Sequence, residues 1–472
     1  MAFSSIIFVF AFLPLVFLLY CLIPSIRGKN ALLIAASLLF YAFGEPIYIL
    51  LMLFSTLFNY VLARLLARRR TRAVLVTAVA VNIGLLCFFK YTAFFLSAVN
   101  GLLRLQLPVP QIALPIGISF FTFQALSYVI DVYRGEVEAQ RSYWKVLLYI
   151  SFFPQLIAGP IVKYKDIALQ IDQRRFDLRD AAFGMRRFIF GLAKKVLIAN
   201  AMAAAADQIF SHSPAELNLL SAWIGAVSYT LQIYFDFSAY SDMAIGLGRM
   251  FGFVLRENFL FPYRSVSVKE FWRRWHISLS SWFKDYVYIP LGGNRRGPVR
   301  TGLNKLLVFF LTGLWHGANW TFVAWGLFHG AFSFLEEFMP RLRRLPRALG
   351  HLYTMLEVCV GFVIFRADSL SYALRYLGRM FAGSAFSPAA NAMALAQLTP
   401  YYLFMLALAL FFCGPAEDLV QTLRAPGEGT RTLSEREVLS QTLLFVCAFL
   451  LLFWCLIRLS GGSYNPFIYF RF

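Results

Sequence analysis

Long apolar runs separated by short basic loops extend along almost the whole chain. Residues 3–23 carry no charged side chain, and at 1.5 Å per helical residue they can span a hydrocarbon core of about 30 Å. Similar runs recur towards the C-terminus, so a single cleaved signal peptide does not explain the first one. The pattern predicts an all-α polytopic membrane protein with about nine to eleven membrane segments.

The basic residues predict the orientation of these segments. They concentrate in short loops at 64–72, 163–187, 295–305 and 341–347. Cytoplasmic loops of membrane proteins carry this excess of Lys and Arg, where they face anionic lipid. The uncharged start of the chain is followed by Arg27 and Lys29, which places the N-terminus outside and the first loop inside. Alternation of the later segments predicts an extracytoplasmic C-terminus as well.

Two apolar runs, 146–162 and 306–335, have basic residues on both sides. If both flanks are cytoplasmic, neither run is one simple crossing. The first contains Pro154 and the run Ala158-Gly159-Pro160, whose prolines remove backbone donors and interrupt a helix. It is either a re-entrant hairpin or two short crossing helices with a tight outer turn, and both alternatives stay open here.

Composition and charge exclude several classes of function. Of the 472 residues, 60% are hydrophobic and 14% charged, and the net charge is +20. That charge lies in membrane-flanking loops rather than in a soluble basic module, which argues against nucleic-acid binding. The six cysteines lie in apolar runs without a Cys/His ligand pattern, so no metal site is predicted. The chain has no P-loop and no GxSxG elbow. A transporter would need more acids at membrane depth and a repeated architecture.

The strongest candidate for a catalytic residue is His316, in the sequence GLWHGAN of the apolar run 306–335. An ionisable group inside a membrane segment is costly and suggests a functional site. Imidazole can take a proton from an attacking hydroxyl and return it to a leaving group. Trp315 and Asn319 flank it as candidate substrate contacts. The alternative is a structural histidine bonded to a neighbouring helix.

A second candidate, His276, lies in the aromatic and basic stretch 256–300, which we place at the cytoplasmic interface. Arg273 and Arg274 are cations suited to a phosphate-bearing donor, and Trp275 offers a ring for stacking. Ser278 is a further candidate for substrate binding. The alternative is an interfacial anchor, because Trp, Tyr and Arg collect at membrane boundaries in any case.

Two acids and one more histidine also lie in apolar segments and were considered as site residues. Asp236 and Asp242 lie near membrane depth, where either can orient a histidine or cap a helix. Asp236 is included among the candidate substrate contacts. His329, thirteen positions after His316, is interpreted as structural.

Five long motifs resemble a known family. They are PIGISFFTFQALSYVIDVYRG, PQLIAGPIVKY, YFDFSAYSDMAIGLGRMFGF, ENFLFPYRSVSVKEFWRRWHISLSSWFKDYVYIPLGGNR and LTGLWHGANWTFVAWGLFHG. Together they resemble the membrane-bound O-acyltransferases, in particular the bacterial branch that contains the membrane subunit of alginate O-acetylation. The likeness covers about residues 114–330, and the terminal NPFIYFRF also fits.

The resemblance implies a fold and a reaction. It implies one membrane domain over 1–472, a ring of tilted and re-entrant helices around a thinned central funnel. Its parts would be N-terminal spans (1–113), a catalytic core (114–338) with interfacial helices at 165–187 and 256–300, and C-terminal spans (339–472). His316 would be the essential histidine and His276 the second motif position. On chemical grounds, Asn319 or His276 is expected to polarise the donor carbonyl, and both direct transfer and an acyl-histidine intermediate stay open.

The same resemblance implies the substrates and the location. The donor would be cytoplasmic acetyl-CoA, with no bound cofactor, and the protein would lie in the bacterial inner membrane. The acceptor would be an exported polysaccharide such as alginate, reached through a periplasmic or extracellular SGNH-type partner. Members that act on peptidoglycan, another cell-wall polymer or lipid, or that transfer D-alanine from a carrier protein, are the alternatives.

Overall fold

The computed structural model describes residues 1–157, 159–383, 387–417, 419–420, 435–461 and 467. Throughout these ranges the regular structure is helical, without a β-strand. The α-helices are α1 (Leu13–Leu22), α2 (Ile26–Gly44), α3 (Ile49–Arg68), α4 (Arg72–Leu103), α5 (Ile118–Arg134), α6 (Tyr143–Ser151), α7 (Phe153–Leu156), α8 (Tyr164–Gln173), α9 (Leu178–Ala193), α10 (Asn200–Phe210), α11 (Leu219–Met250), α12 (Val268–Arg274), α13 (Ile277–Phe283), α14 (Gly297–His316), α15 (Trp320–Phe338), α16 (Arg347–Arg366), α17 (Leu370–Ala382), α18 (Pro388–Gln397), α19 (Pro400–Phe412) and α20 (Glu435–Ser460).

Shorter helical turns link some of these elements. Phe8–Phe12, Lys194–Ala199 and Lys284–Tyr288 are π-helical, and Pro214–Glu216, Pro262–Arg264 and Pro340–Arg344 form 3-10 turns. The turn at Lys194–Ala199 joins α9 and α10 into one continuous helical stretch.

Six helical stretches in the described part of the chain are long and apolar enough to cross a membrane. They are Ile26–Gly44, Ile49–Arg68, Arg72–Leu103, Leu178–Phe210, Arg347–Arg366 and Val438–Ser460. α18 and α19, bent by 67° at their junction, would make a seventh if they form one broken span. The chain is therefore an all-α, multi-pass membrane protein, as the sequence predicts. The count is below nine to eleven because some predicted runs form short or broken helices, and because α11, α14 and α15, although long, are not apolar enough to be counted.

The chain divides into two compact units, and the first comprises Met1–Phe188 and Ser241–Glu257. Here α3 packs on α5 and α4, and α2 packs on α6. Phe8, Phe12, Phe40 and Phe153 form an aromatic core in which neighbouring ring centroids lie 5.4 to 6.3 Å apart. Much of the apolar surface of α4 is exposed, as expected for a helix that faces lipid.

The first anomalous run, 146–162, is broken as its prolines predict. α6 has nine residues, about 13 Å of helix, and α7 has only four residues. After α7 the chain has no regular helix until α8, with Ala158 outside the described residues. Neither helix is long enough to cross a core of about 30 Å. Of the two alternatives, the arrangement favours a re-entrant segment over two crossing helices.

The second unit comprises Ile189–Tyr240 and Asn258–Phe472, and its central feature is a helical hairpin of α14 and α15. The two helices pack along their length, from the Lys305–Glu337 ion pair of 2.5 Å to a close approach of Gly313 and Gly326. A Cβ on Gly313 would collide with the carbonyl oxygen of Phe322, so glycine is required there. This hairpin explains why the run 306–335 has basic residues at both ends: the chain reverses within it.

Three predictions about the whole chain stay predictions. They are the single-domain division of 1–472, the ring of helices around a funnel, and the fit of the terminal NPFIYFRF motif. That motif lies outside the described residues except for Phe467.

Candidate active site

His316 is the last residue of α14 and lies at the turn of the helical hairpin. Its imidazole is buried among three aromatic rings. The ring centroids of Trp315, Trp325 and Phe365 lie 4.9, 5.0 and 5.1 Å from that of His316, all at steep interplanar angles. Phe365 comes from α16, so three helices contribute to the surroundings of one imidazole.

His276 reaches the same group of rings from the start of α13. Its ring centroid lies 6.1 Å from that of Trp315, which also contacts His316. The two histidines that the sequence singled out, forty positions apart, therefore contact one indole. Phe237 of α11 packs edge-on against the His276 ring at 4.6 Å.

One side-chain oxygen, Oδ1 of Asn258, holds the His276 segment. It accepts hydrogen bonds from the backbone N–H of Ser278 at 3.0 Å and from its Oγ–H at 2.9 Å, and it lies 3.3 Å from His276 Nδ1. The backbone N–H can only donate, so the shared atom of Asn258 is its oxygen. A hydrogen bond between His276 Nδ1 and this oxygen needs the proton on Nδ1. Ser278 thus contributes to the histidine's support.

The protonation of the other ring nitrogen of His276, Nε2, follows from this tautomer. Burial lowers the pKa of His276 to about 3, so the ring is neutral near pH 7. With the proton on Nδ1, Nε2 carries a lone pair, and this buried atom has no hydrogen-bond partner among the described residues. In this state His276 Nε2 can accept a hydrogen bond or a proton but cannot donate one.

His329 contacts one of the aromatic rings that surround His316. Its ring contacts Trp325, the neighbour of His316, at 5.0 Å, and its Nδ1 bonds to Glu357 Oε1 at 2.6 Å. Both partners are fully buried, and a Cβ on Gly361 would lie 2.5 Å from the imidazole Nε2. A buried carboxylate on a histidine fixes the ring's tautomer and orientation. The hydrogen bond to Glu357 agrees with a structural role for His329. The sequence did not indicate this partner.

The two acids of α11 form ion pairs, each within its own compact unit. Asp236 Oδ1 lies 2.8 Å from Lys195 Nζ, with both side chains buried. Asp242 Oδ1 lies 2.8 Å from Arg187, whose guanidinium also binds Glu257. Both acids are inside α11, so neither caps that helix. That either orients a histidine, or that Asp236 contacts a substrate, stays a prediction. No three His, Cys, Asp or Glu side chains of the described residues could together hold a metal ion.

The predicted donor-binding cations take different positions. Arg273 is exposed on α12, and Arg274 pairs with Glu270 at 2.9 Å on the same helix. Trp275 is buried, and its ring stacks on Phe271 at 5.4 Å. The substrate-binding roles of these three residues stay predictions, since Arg273 alone presents an exposed cation.

Asn319 is a helix cap. Its Oδ1 accepts from the backbone N–H of Thr321 at 3.1 Å, which starts α15, and its Nδ2 donates to the carbonyl oxygen of Asp368 at 3.1 Å. Both ends of the amide therefore hold the turn that carries His316. This geometry favours a supporting role over the predicted contact with a substrate carbonyl.

A comparison with protein families identifies the family of this chain. Residues 81–372 match the membrane-bound O-acyltransferase family. The chain belongs to that family. Membership makes it an acyltransferase, in agreement with the motifs quoted from the sequence, and the match includes both His276 and His316.

Named relatives of this O-acyltransferase cover it to different extents. It is 40% identical to the probable alginate O-acetylase AlgI of Azotobacter vinelandii, over 100% of both chains. It is 38% identical to the peptidoglycan O-acetyltransferase of Helicobacter pylori, over 80% of this chain and 79% of that one. The teichoic acid D-alanyltransferase of Bacillus subtilis is 28% identical over 53% of this chain and 68% of its own length.

Two residues that hold the buried histidines, Glu357 and Asn258, were not identified from the sequence. Glu357 had a usable signal, because it is the one acid in the apolar run 352–365. Asn258 had none, since an asparagine in a polar interfacial stretch is unremarkable. Only its position opposite His276 shows its role.

Proposed function

We propose that this protein moves an acetyl group from cytoplasmic acetyl-CoA across the inner membrane for O-acetylation of an exported polysaccharide such as alginate. The observation that carries the proposal is the 40% identity to probable alginate O-acetylase AlgI of Azotobacter vinelandii over the full length of both chains. A relative matched from end to end is better support for a shared reaction than one matched over part of its length.

The separation of donor and acceptor explains why such an enzyme spans the membrane. Acetyl-CoA is charged and cytoplasmic, whereas the exported glycan is outside, and neither crosses the bilayer. An acyltransferase with its reactive group at membrane depth carries the acetyl group without moving CoA. We place an SGNH-type partner outside the membrane to deliver the acetyl group to the polysaccharide.

His316 is the general base of the proposed reaction. Its Nδ1 or Nε2 would take the proton from an acceptor hydroxyl as the hydroxyl oxygen attacks the thioester carbonyl. The C–S bond then breaks, and the same proton passes to the leaving CoA thiolate. The rings of Trp315, Trp325 and Phe365 support this role, because they hold the imidazole in one orientation at the turn of the hairpin.

His276 fits a different role from the carbonyl polarisation expected of it. Polarising a carbonyl needs a donor, and Nε2 has no proton in the tautomer that Asn258 imposes. His276 Nε2 is suited to accept a hydrogen bond from the acceptor hydroxyl or from a donor N–H. We therefore propose that His276 orients a reacting group, while His316 transfers the proton.

The alternative acceptors remain within the same chemistry. The peptidoglycan O-acetyltransferase of Helicobacter pylori is 38% identical, but over 80% of the chain. The D-alanyltransferase of Bacillus subtilis is more distant, at 28% over 53%. The extent of each match favours acetyl transfer over D-alanyl transfer.

A histidine exchange tests the proposed base. In a strain whose sole copy is His316→Ala, we expect ester-linked acetate on the exopolysaccharide to be lost while the protein reaches the membrane in normal amount. His212→Ala is the matched control, because His212 is a surface histidine paired with Glu216. NMR of the polysaccharide and immunoblots of membranes measure the two outcomes. Normal acetylation in the His316→Ala strain would refute the assignment.

A second measurement tests the donor. Purified protein, with its extracytoplasmic partner present, should release free CoA thiol from acetyl-CoA, and His316→Ala should not. Reaction with a carrier-bound acyl thioester but not with acetyl-CoA would support the D-alanyl alternative instead. Acetate found on peptidoglycan rather than on the exopolysaccharide would support the peptidoglycan alternative.

A further inference from the structure

The first compact unit contains a basic groove that the proposed reaction does not use. It encloses about 440 Å³ between the end of α8, the start of α9 and the segment after α11. Its lining includes Arg174, Arg175 and Arg249, against a single acid, Asp180. Three guanidinium groups facing one carboxylate leave the groove with an excess of positive charge. That excess favours an anion.

The walls of the groove are held in place before any ligand binds. Gln170 of α8 accepts a hydrogen bond from the backbone N–H of Val254 at 2.7 Å, which joins the two walls. The Arg174 guanidinium donates to Asn30 Oδ1 at 2.7 Å and lies over the Phe253 ring at 4.3 Å. A preformed pocket avoids the entropic cost of ordering long side chains on binding.

One guanidinium of the groove keeps unused donor capacity. The Nη2 atom of Arg174 is buried and makes no hydrogen bond within the described ranges. Arg175 is exposed, and Arg249 is held by Asp180 at 3.0 Å. Guanidinium forks match the geometry of phosphate oxygens, which accept two parallel N–H bonds.

Exposed apolar side chains at the rim indicate where the anion comes from. Leu169 and Val254 line the groove, and they are 73% and 71% exposed. α8 buries Ile167 and Ile171 on its opposite face, so it is amphipathic. An amphipathic helix with an exposed leucine and basic side chains at its end, here Arg174 and Arg175, is typical of the boundary between lipid headgroups and acyl chains. The charge pattern also predicts this stretch, 163–187, to face the anionic cytoplasmic leaflet.

We propose that this groove binds the phosphate headgroup of an anionic phospholipid. The phosphate contacts the guanidinium groups of Arg174, Arg175 and Arg249, and the acyl chains leave the groove over Leu169 and Val254. A soluble phosphate or the phosphates of a nucleotide could use the same guanidinium groups, but neither would use the apolar rim. The site is independent of acyl transfer, so it stands or falls without the proposed reaction.

Native mass spectrometry of the full-length protein in detergent tests the proposal. The protein is titrated with phosphatidylglycerol and, separately, with phosphatidylcholine, and apparent affinities are taken from the occupancy of bound lipid. We expect phosphatidylglycerol to bind more tightly. Arg175→Gln with Arg249→Gln should weaken its binding roughly 30-fold, from about fivefold per arginine. Arg174 is left intact because it also bonds within the fold.

Two further variants separate the groove from general surface charge. Arg72→Gln with Arg141→Gln removes the same charge from two exposed positions outside the groove and should leave the affinity unchanged. Asp180→Asn removes the one acid of the groove and should tighten binding about fivefold. A misfolded variant would not bind more tightly, so the gain with Asp180→Asn identifies a charge effect.

Three results would overturn the proposal. One is equal loss of binding in the groove variant and in the Arg72/Arg141 control. The second is unchanged or weaker binding with Asp180→Asn. The third is displacement of phosphatidylglycerol by inorganic phosphate at equal concentration, which would show that a soluble anion, not a lipid, is the ligand.

Discussion

The backbone at His276 adopts φ +44°, in the left-handed region that few residues other than glycine occupy. Such a conformation costs free energy and persists where the surroundings hold it. Here the Asn258 side chain and the following helix α13 hold it. The result is an imidazole aimed at Trp315 with one nitrogen tied down. Strain at this residue is consistent with a site that positions a reacting group.

The first residue-scale prediction concerns His276→Asn. Asparagine tolerates the left-handed backbone, and its amide N–H₂ can replace the bond from Nδ1 to Asn258. The exchange keeps the hydrogen bond to Asn258 but removes Nε2 together with the outer part of the ring, so we expect near-normal membrane abundance and at least a roughly tenfold loss of acetylation. Polysaccharide ester content per amount of protein measures it. Wild-type activity in this variant would show that Nε2 takes no part.

The same variant isolates a pH effect on stability. Unfolded chains bind a proton at histidine below about pH 6.5, whereas the native pKa of His276 is about 3. The unfolded state therefore gains protons first as pH falls, which lowers the free energy of unfolding between those two values. The thermal unfolding temperature should fall less from pH 7 to pH 5 in His276→Asn than in the wild type. An equal fall would place the responsible group elsewhere.

At the scale of elements, the α14–α15 hairpin decides where His316 lies. Its two helices approach closely at Gly313 and Gly326, where small residues let backbones touch. The turn between them is tied by Asn319 to the carbonyl of Asp368. His316 is thus placed by helix packing and a cap, and both are independent of its own side chain.

The element-scale prediction is that Gly326→Ala displaces the hairpin. The added Cβ would collide with the carbonyl oxygen of Phe309, and overpacking of this kind costs about 1–3 kcal/mol. We expect a lower unfolding temperature and reduced acetylation. Gly378→Ala in α17 is the control: nothing lies within 4 Å of its Cβ position, so alanine should be neutral or slightly stabilising. Equal behaviour of the two variants would contradict the close-packing argument.

At the scale of the whole molecule, the distribution of basic residues predicts which side each loop faces. α3 has 20 residues, about 30 Å, which is enough for one crossing. The turn before it carries Pro46, and the basic loop after it carries Thr71, both exposed. Positive charge favours the cytoplasm for the second loop, so the turn should be outside.

Cysteine labelling checks this orientation. In a background in which all six native cysteines are alanine, a membrane-impermeant maleimide should label Pro46→Cys in intact cells. It should label Thr71→Cys only after the cells are opened. The reverse pattern would invert the predicted direction of α3.

The sequence alone was sufficient to predict that the chain is a membrane protein and that the run 146–162 is broken. It was also sufficient to select His276 and His316 as candidate site residues. Runs without charge have few folded states other than a helix in lipid, so apolar length and loop charge predict spans directly. The proline-broken run 146–162 was predicted for the same local reason. His276 and His316 were recognisable because they lie in long motifs of the family.

Only the tertiary structure decided how these residues support one another. Trp315 contacts both His276 and His316, and Trp325 contacts both His316 and His329. Glu357 bonds to His329, which lies 28 positions earlier in the chain. Such contacts connect different helices, and their register depends on packing along each helix, which no local pattern specifies. Apolar length and loop charge determined that the chain enters the membrane. The packing of α14, α15 and α16 determined what surrounds His316.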